Sequence, residues 1–191
     1  VINNLLYIAG PPGVGKSSLA RELTSGWDRE VFKDGPVPHV RLRHPATGRV
    51  LGVELGVPRP SFPGTDALAM DIGPRAFTFL TGQCVPFAFG EGSRLATRPF
   101  LGGLVAAGVR LTFVSLNASQ ELLDARWRAR GSKQNPSWRK GAATRAAGMA
   151  EWARATSGVQ LLELSAEWSM DVQVMNVCAV FPAIGLGESA S

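Results

Sequence analysis

Residues 10–17 read Gly10-Pro11-Pro12-Gly13-Val14-Gly15-Lys16-Ser17 and fit the pattern G-x-x-x-x-G-K-[ST] without a mismatch. The apolar run Leu5 to Ala9 precedes them, and the helix formers of Lys16 to Thr24 follow. A strand, a glycine loop and a helix in that order make a phosphate cradle. Glycine permits close backbone approach, successive N–H groups wrap the oxygens, and the helix N-terminus adds positive potential. Gly10, Pro11, Pro12, Gly13, Val14, Gly15, Lys16, Ser17 and Ser18 are therefore expected to hold a nucleotide's phosphates. In this reading Lys16 meets the β- and γ-phosphates and Ser17 is a ligand to Mg²⁺. The bland alternative, a structural glycine turn, is the weaker one in this context.

The segments further out alternate between strand and helix patterns. Val85 to Phe89, Val109 to Leu116 and Val159 to Leu164 read as further core strands. Thr97 marks a helix start, Asn117 or Ser119 caps a helix running through Arg130, and another helix is expected over roughly Ala142 to Ala155. Thr65 or Asp66 can cap a helix towards Met70, and Pro74 can open the next one. His39 to Leu55 alternates around Pro45-Ala46-Thr47-Gly48 as a hairpin decorating the core. Val172, Met175, Cys178 and Phe181 suit the buried stripe of a last helix. The expected fold is α/β, with a mainly parallel five-stranded sheet flanked by helices. The expected organisation is one domain over 1–184, with the hairpin at 39–55, an arginine-bearing lid at 126–145 and a mobile tail at 185–191.

Composition bounds the rest. With 191 residues, 45% hydrophobic and 18% charged, the chain can bury a sizeable core within one domain. The uncharged run from Val172 to Gly187 is broken by polar residues and Pro182, so no spanning helix is expected. No basic leader precedes Lys16, and a cytoplasmic location is the expectation. Cys84 and Cys178 are expected to be reduced, mostly buried thiols, and with only His39 and His44 they assemble no zinc set. The net charge of +5 is concentrated: Arg126, Arg128, Arg130, Lys133, Arg139, Lys140 and Arg145 occur with no acidic residue between them. Such a run suits a polyanionic partner, or a merely exposed basic face.

With its phosphate loop and element order, the chain resembles the P-loop kinase group, which includes adenylate, thymidylate, shikimate and polynucleotide kinases. Neither DxxG nor NKxD is present, nor an ABC-type signature, so ATP rather than GTP is the implied donor. In P-loop proteins an acidic residue at the end of a strand beside the phosphate loop supports Mg²⁺ or the attacking group. Glu91, after Val85-Pro86-Phe87-Ala88-Phe89-Gly90, stands at such an end. Glu91-Gly92-Ser93-Arg94 resembles the Asp-Arg pair of thymidylate kinases, with Glu for Asp and a spacer, and this gives Arg94 an acceptor phosphate to hold. Leu122, Arg126 and Arg130 have the spacing of small kinases whose lid brings arginines over ATP, and Arg126 and Arg130 share a helix face.

For the acceptor, Asp66 is the expected proton acceptor or base contact, with Asp71 in reserve. Arg41 and Arg43 alternate with His39 and His44 on a hairpin strand, where an exposed face competes with substrate contact. Trp127, Trp138 and Trp152 are open to base stacking or to packing. The loop after Leu164, with Trp168, is placed to meet adenine. The size, lid and hairpin are similar to those of phage-encoded kinases acting on nucleoside monophosphates or on 5-hydroxymethyluracil in DNA. The expected function is accordingly transfer of the ATP γ-phosphate to 5-hydroxymethyluracil in DNA, in a host cytoplasm if phage-encoded. A nucleoside monophosphate kinase and a non-kinase P-loop ATPase or nucleic-acid-binding module are the alternatives.

Overall fold

The structure, a computed structural model, describes residues 2–58 and 63–185. Its centre is β1 (Asn4–Ala9), whose side chains are buried alternately on two sides. Leu5, Tyr7 and Ala9 enter one hydrophobic core, while Leu6 and Ile8 enter the other. A strand covered on both faces reads as a continuous apolar run rather than an alternation, and this is why Leu5 to Ala9 is legible as a central strand.

Seven strands form the sheet: β2 (Asp28–Phe32), β3 (His39–Arg43), β4 (Val50–Leu55), β5 (Phe87–Glu91), β1, β6 (Arg110–Asn117) and β7 (Val159–Ser165), in that spatial order. Five of them, from β4 to β7, run parallel, and β3 and β2 extend the sheet antiparallel. The fold class expected from sequence holds, with two corrections. First, the 39–55 hairpin is not a decoration. Its second strand, β4, pairs in parallel with β5 through Gly52, Val53 and Glu54 and is part of the sheet. Second, β2, of sequence Asp28-Arg29-Glu30-Val31-Phe32, escapes a hydrophobic reading because it is a charged, half-exposed strand at the sheet's end.

One face of the sheet is covered by α2 (Gly73–Gly82), α3 (Arg98–Ala106) and α5 (Pro136–Ala155). The other is covered by α1 (Lys16–Leu23), α4 (Gln120–Ala129) and α6 (Met170–Val180), followed by the short α7 (Pro182–Gly185). The caps follow side-chain chemistry: Thr97 accepts from Phe100 N, and Ser119, rather than Asn117, accepts from Leu122 N. The helix α5 starts six residues earlier than its periodicity suggests. Asn135 caps it by accepting from Ser137 N at 2.8 Å, and Pro136 fills the first position.

Other expectations fail for local reasons. Neither Thr65 nor Asp66 caps a helix, because the chain there makes only a 3-10 turn, Gly64–Ala67, entered from Pro63. In α6 the buried positions are Gln173 and Val177, while Val172 and Met175 are exposed. That helix is apolar on nearly every side, so its pattern does not single out an inner face. Cys84 is exposed rather than buried. His39 is buried, stacked on Phe32 at 4.9 Å between ring centroids, with Nδ1 2.9 Å from the Val37 carbonyl. The 186–190 part of the expected tail and Ser191 lie outside the described residues. Among the described residues, no helix is long and apolar enough to cross a membrane.

Candidate active site

The phosphate loop leaves the carboxyl end of β1 and enters α1 with no side chain capping that helix. Its first amides are thus left free to meet an anion. Gly13 has φ +82°, and a Cβ there would come within 2.6 Å of Trp127 Nε1. The close approach is functional packing: Trp127 Nε1 donates to the Pro12 carbonyl at 3.0 Å. Lys16 Nζ lies inside the loop, donating to the carbonyls of Gly10 and Pro11 at 3.1 Å each. Burial lowers its pKa, opposed by the carboxylates of Glu91 and Asp66 and assisted by the charge of Arg130.

Glu91 ends β5 beside the loop, only 3% exposed, in register with Ile8 of β1. Ser17 Oγ donates to Glu91 Oε1 at 2.9 Å. Burial pushes the Glu91 carboxyl up to about 7, against the opposing pull of Lys16 and the Ser17 hydrogen bond. Behind it sits Gly64, with φ +64°, where a Cβ would lie 2.5 Å from Oε1. The Thr65 hydroxyl donates to the Glu91 carbonyl at 2.9 Å and lies 2.9 Å from the Tyr7 hydroxyl. The carboxylate is therefore held at a fixed height beside Ser17.

Asp66 Oδ1 accepts from Ser93 N, Ser93 Oγ and Arg94 N at 2.8, 2.9 and 2.9 Å, so it shapes the turn after β5 while its side chain also lines the cleft. Asp71 is instead exposed and paired with Arg75 at 3.0 Å. Arg94 Nε is buried without a hydrogen-bond partner among the described residues.

The two arginines expected in a lid, Arg126 and Arg130, part company. Arg130 lines the cleft, near enough to Lys16 to act on its charge. Arg126 does not line it. Its Nη1 donates to the Val14 carbonyl at 2.5 Å and its Nη2 to Ala166, in the loop after β7, at 3.2 Å. Both donors are committed to backbone, which makes Arg126 a positioning residue for the phosphate loop rather than a lid contact. Arg126→Ala is expected to raise the ATP dissociation constant about tenfold and to lower stability by roughly 1–3 kcal/mol through the two orphaned carbonyls. Equilibrium binding of an ATP analogue and urea unfolding check both numbers.

Arg41 and Arg43 are a further correction. Arg41 lies over the Phe32 ring, 4.4 Å from its centroid, and Arg43 pairs with Glu30 at 2.6 Å. Register explains the distance of Arg43 from the chemistry: it opposes Val50, two residues before the Gly52 that pairs with Phe87, at the end of the sheet away from Glu91, roughly 20 Å along the strands at ~3.3 Å per residue. Arg41 opposes Val53, level with Ala88, three residues short of Glu91 and two strands to the side of it.

The loop, Glu91 and Asp66 open into one cleft of about 680 Å³. Its other lining residues include Arg21, Ser93 and Thr97, and Trp138 and Arg145 from α5. Trp138, which the sequence left open to base stacking or packing, and Arg145, the last of the basic run, share this cleft with the turn after β5.

A mainly parallel sheet with a glycine loop at the carboxyl end of its central strand, a half-buried lysine in that loop and a carboxylate on the neighbouring strand define a P-loop phosphotransferase. The family model described as P-loop Nucleotide Kinase3 matches residues 1–166, and the chain belongs to that family. It is a kinase. No curated protein matches the chain. Among solved structures, a gluconokinase from Sinorhizobium meliloti 1021 aligns over 100% of this chain and 99% of its own, at 16% identity and a TM-score of 0.47.

Proposed function

We propose that this kinase transfers the γ-phosphate of ATP, with Mg²⁺, to a free nucleotide-type acceptor. The observation that carries the reading is the 2.9 Å contact between Ser17 Oγ and Glu91 Oε1 beside the half-buried Lys16. A hydroxyl and a carboxylate form the hard-oxygen donor set that suits Mg²⁺. Ser17 and Glu91 would hold the ion, which supplies charge neutralisation for the phosphate oxygens. The chain's own residues do the rest. The loop amides and Lys16 bind and orient the donor phosphates, and Arg130 adds positive charge where the transferred group becomes more anionic.

The polymeric acceptor, 5-hydroxymethyluracil within DNA, is the second reading. It draws on the seven basic residues between 126 and 145. It loses the support of Arg41 and Arg43, which are engaged by Phe32 and Glu30. Single-turnover transfer from γ-labelled ATP to nucleoside monophosphates, nucleosides and DNA carrying internal 5-hydroxymethyluracil tests both. Label in a free nucleotide with none in DNA is the expected result. Label in DNA alone overturns the choice of acceptor, and label in nothing overturns the phosphotransfer itself.

A further inference from the structure

Along α5, Trp138, Ala142, Arg145, Ala146 and Met149 all line the cleft, spaced as one face of a helix. The inner end of this row is anchored. Met149 is 6% exposed and sits in the core with Ala150 and Ala153. The outer end is Trp138, 45% exposed although it is a large aromatic side chain. Between them, Ala142 and Ala146 put little bulk on the wall, leaving room beside the indole for a flat ring. The Asp66 carboxylate, Ser93 and Thr97 line the same cleft.

Arg145 is exposed and has no hydrogen bond or ion pair with any described residue, unlike Arg126 and Arg43. A Cβ at Gly141 would lie 3.4 Å from Arg145 Nη1, so the guanidinium lies back along the helix towards Trp138. An aromatic face and an uncommitted guanidinium therefore share one wall of a concave site. Lys16, the loop amides and Arg130 already attend to the donor phosphates, and of the two other cations that line the cleft among the described residues, Arg21 and Arg145, only Arg145 shares a helix face with Trp138. Arginine binds phosphate oxygens in a planar fork, and exposed indole faces bind flat rings by stacking.

We propose that this face of α5 is the acceptor wall, and that it takes a nucleoside 5′-monophosphate, with the base stacked on Trp138 over Ala142 and the phosphate held by Arg145. The inference rests on the phosphotransfer reading above and gives its acceptor a chemical class and an address.

Calorimetric titration of the full chain with each of the four deoxynucleoside 5′-monophosphates, with the matching deoxynucleosides and with a non-hydrolysable ATP analogue tests it. At least one monophosphate is expected to bind, with its nucleoside at least tenfold weaker. Trp138→Ala and Arg145→Ala should each weaken that monophosphate tenfold or more. Trp138→Phe and Arg145→Lys should recover part of the loss, and analogue affinity should stay within twofold throughout. Unchanged monophosphate affinity in both alanine variants overturns the proposal, as does a wild-type protein that binds none of the four. Parallel loss of the analogue overturns it too, because the wall would then serve the donor. Label transfer by the wild type, measured alongside, keeps the two readings apart: the wall is judged on binding, and the phosphotransfer reading falls only if no acceptor takes label.

Discussion

Lys16→Ala is expected to lower kcat by a factor of at least about 10²–10³, the effect of removing one preorganised charge from a transition state. Among the described residues four cations line the cleft, Lys16, Arg21, Arg130 and Arg145, and only Lys16 stands where the phosphate loop turns into α1. Its Nζ is fixed by the carbonyls of Gly10 and Pro11, so the charge is already in place before any phosphate arrives. The other three have no such anchoring among the described residues. The fold should survive the substitution. Burial lowers the lysine's pKa, which means the folded chain holds that ammonium at a disadvantage, and alanine removes the burden along with two hydrogen bonds. Turnover at saturating ATP and a thermal unfolding curve measure the two halves. Near-normal turnover with an unchanged melting temperature would sink the assignment of Lys16.

What made this fold legible was locality. The strand, loop and helix from Leu5 to Thr24 are contiguous, and each has its own signal: an apolar run, glycines, helix formers. The doubly covered strands β5 and β6 read in the same way, as do the half-exposed edge strand β7 and the caps at Thr97 and Ser119. What escaped depended on partners far away in the chain. The strand β4 looks like half of a hairpin because its pairing with β3 is local, and its parallel pairing with β5 is not. Spacing put Arg126 and Arg130 on one helix face, but periodicity names a face and not a destination. Arg126 finds the carbonyls of Val14 and Ala166, positions 112 and 40 residues away. The Trp127 indole likewise reaches Pro12 across 115 residues, and its only advance notice is that a buried indole N–H needs an acceptor. The strand-end position of Glu91 was readable, whereas the burial that raises its pKa comes from the packing around β5 and the Gly64 turn.

That burial sets function against stability, and Glu91→Gln separates them. In the wild type, the folded carboxyl titrates near 7 against an ordinary value of 4.5. Between those two pH values the folded chain keeps a proton that the unfolded chain has released. Stability therefore falls as pH rises through this window and levels off above 7, by roughly 3 kcal/mol at ~1.4 kcal/mol for each tenfold change in proton affinity. Glutamine has the same shape, can still accept from Ser17 Oγ, and carries no charge to desolvate. In chelator-containing buffer the variant should thus be the more stable protein at pH 8, and the two should converge below about pH 4.5. Activity should move the other way. The carboxylate is the working form, so wild-type kcat/KM should climb as pH rises through about 7, reporting the free enzyme. The variant should lose that limb along with a factor of about 10² or more in kcat/KM, because an amide offers Mg²⁺ no anionic oxygen. Urea unfolding at pH 5, 6, 7 and 8 and pH–rate profiles of both proteins test the trade. A variant that is less stable than the wild type at pH 8, or that keeps the limb near 7, would show that Glu91 is not the group that titrates.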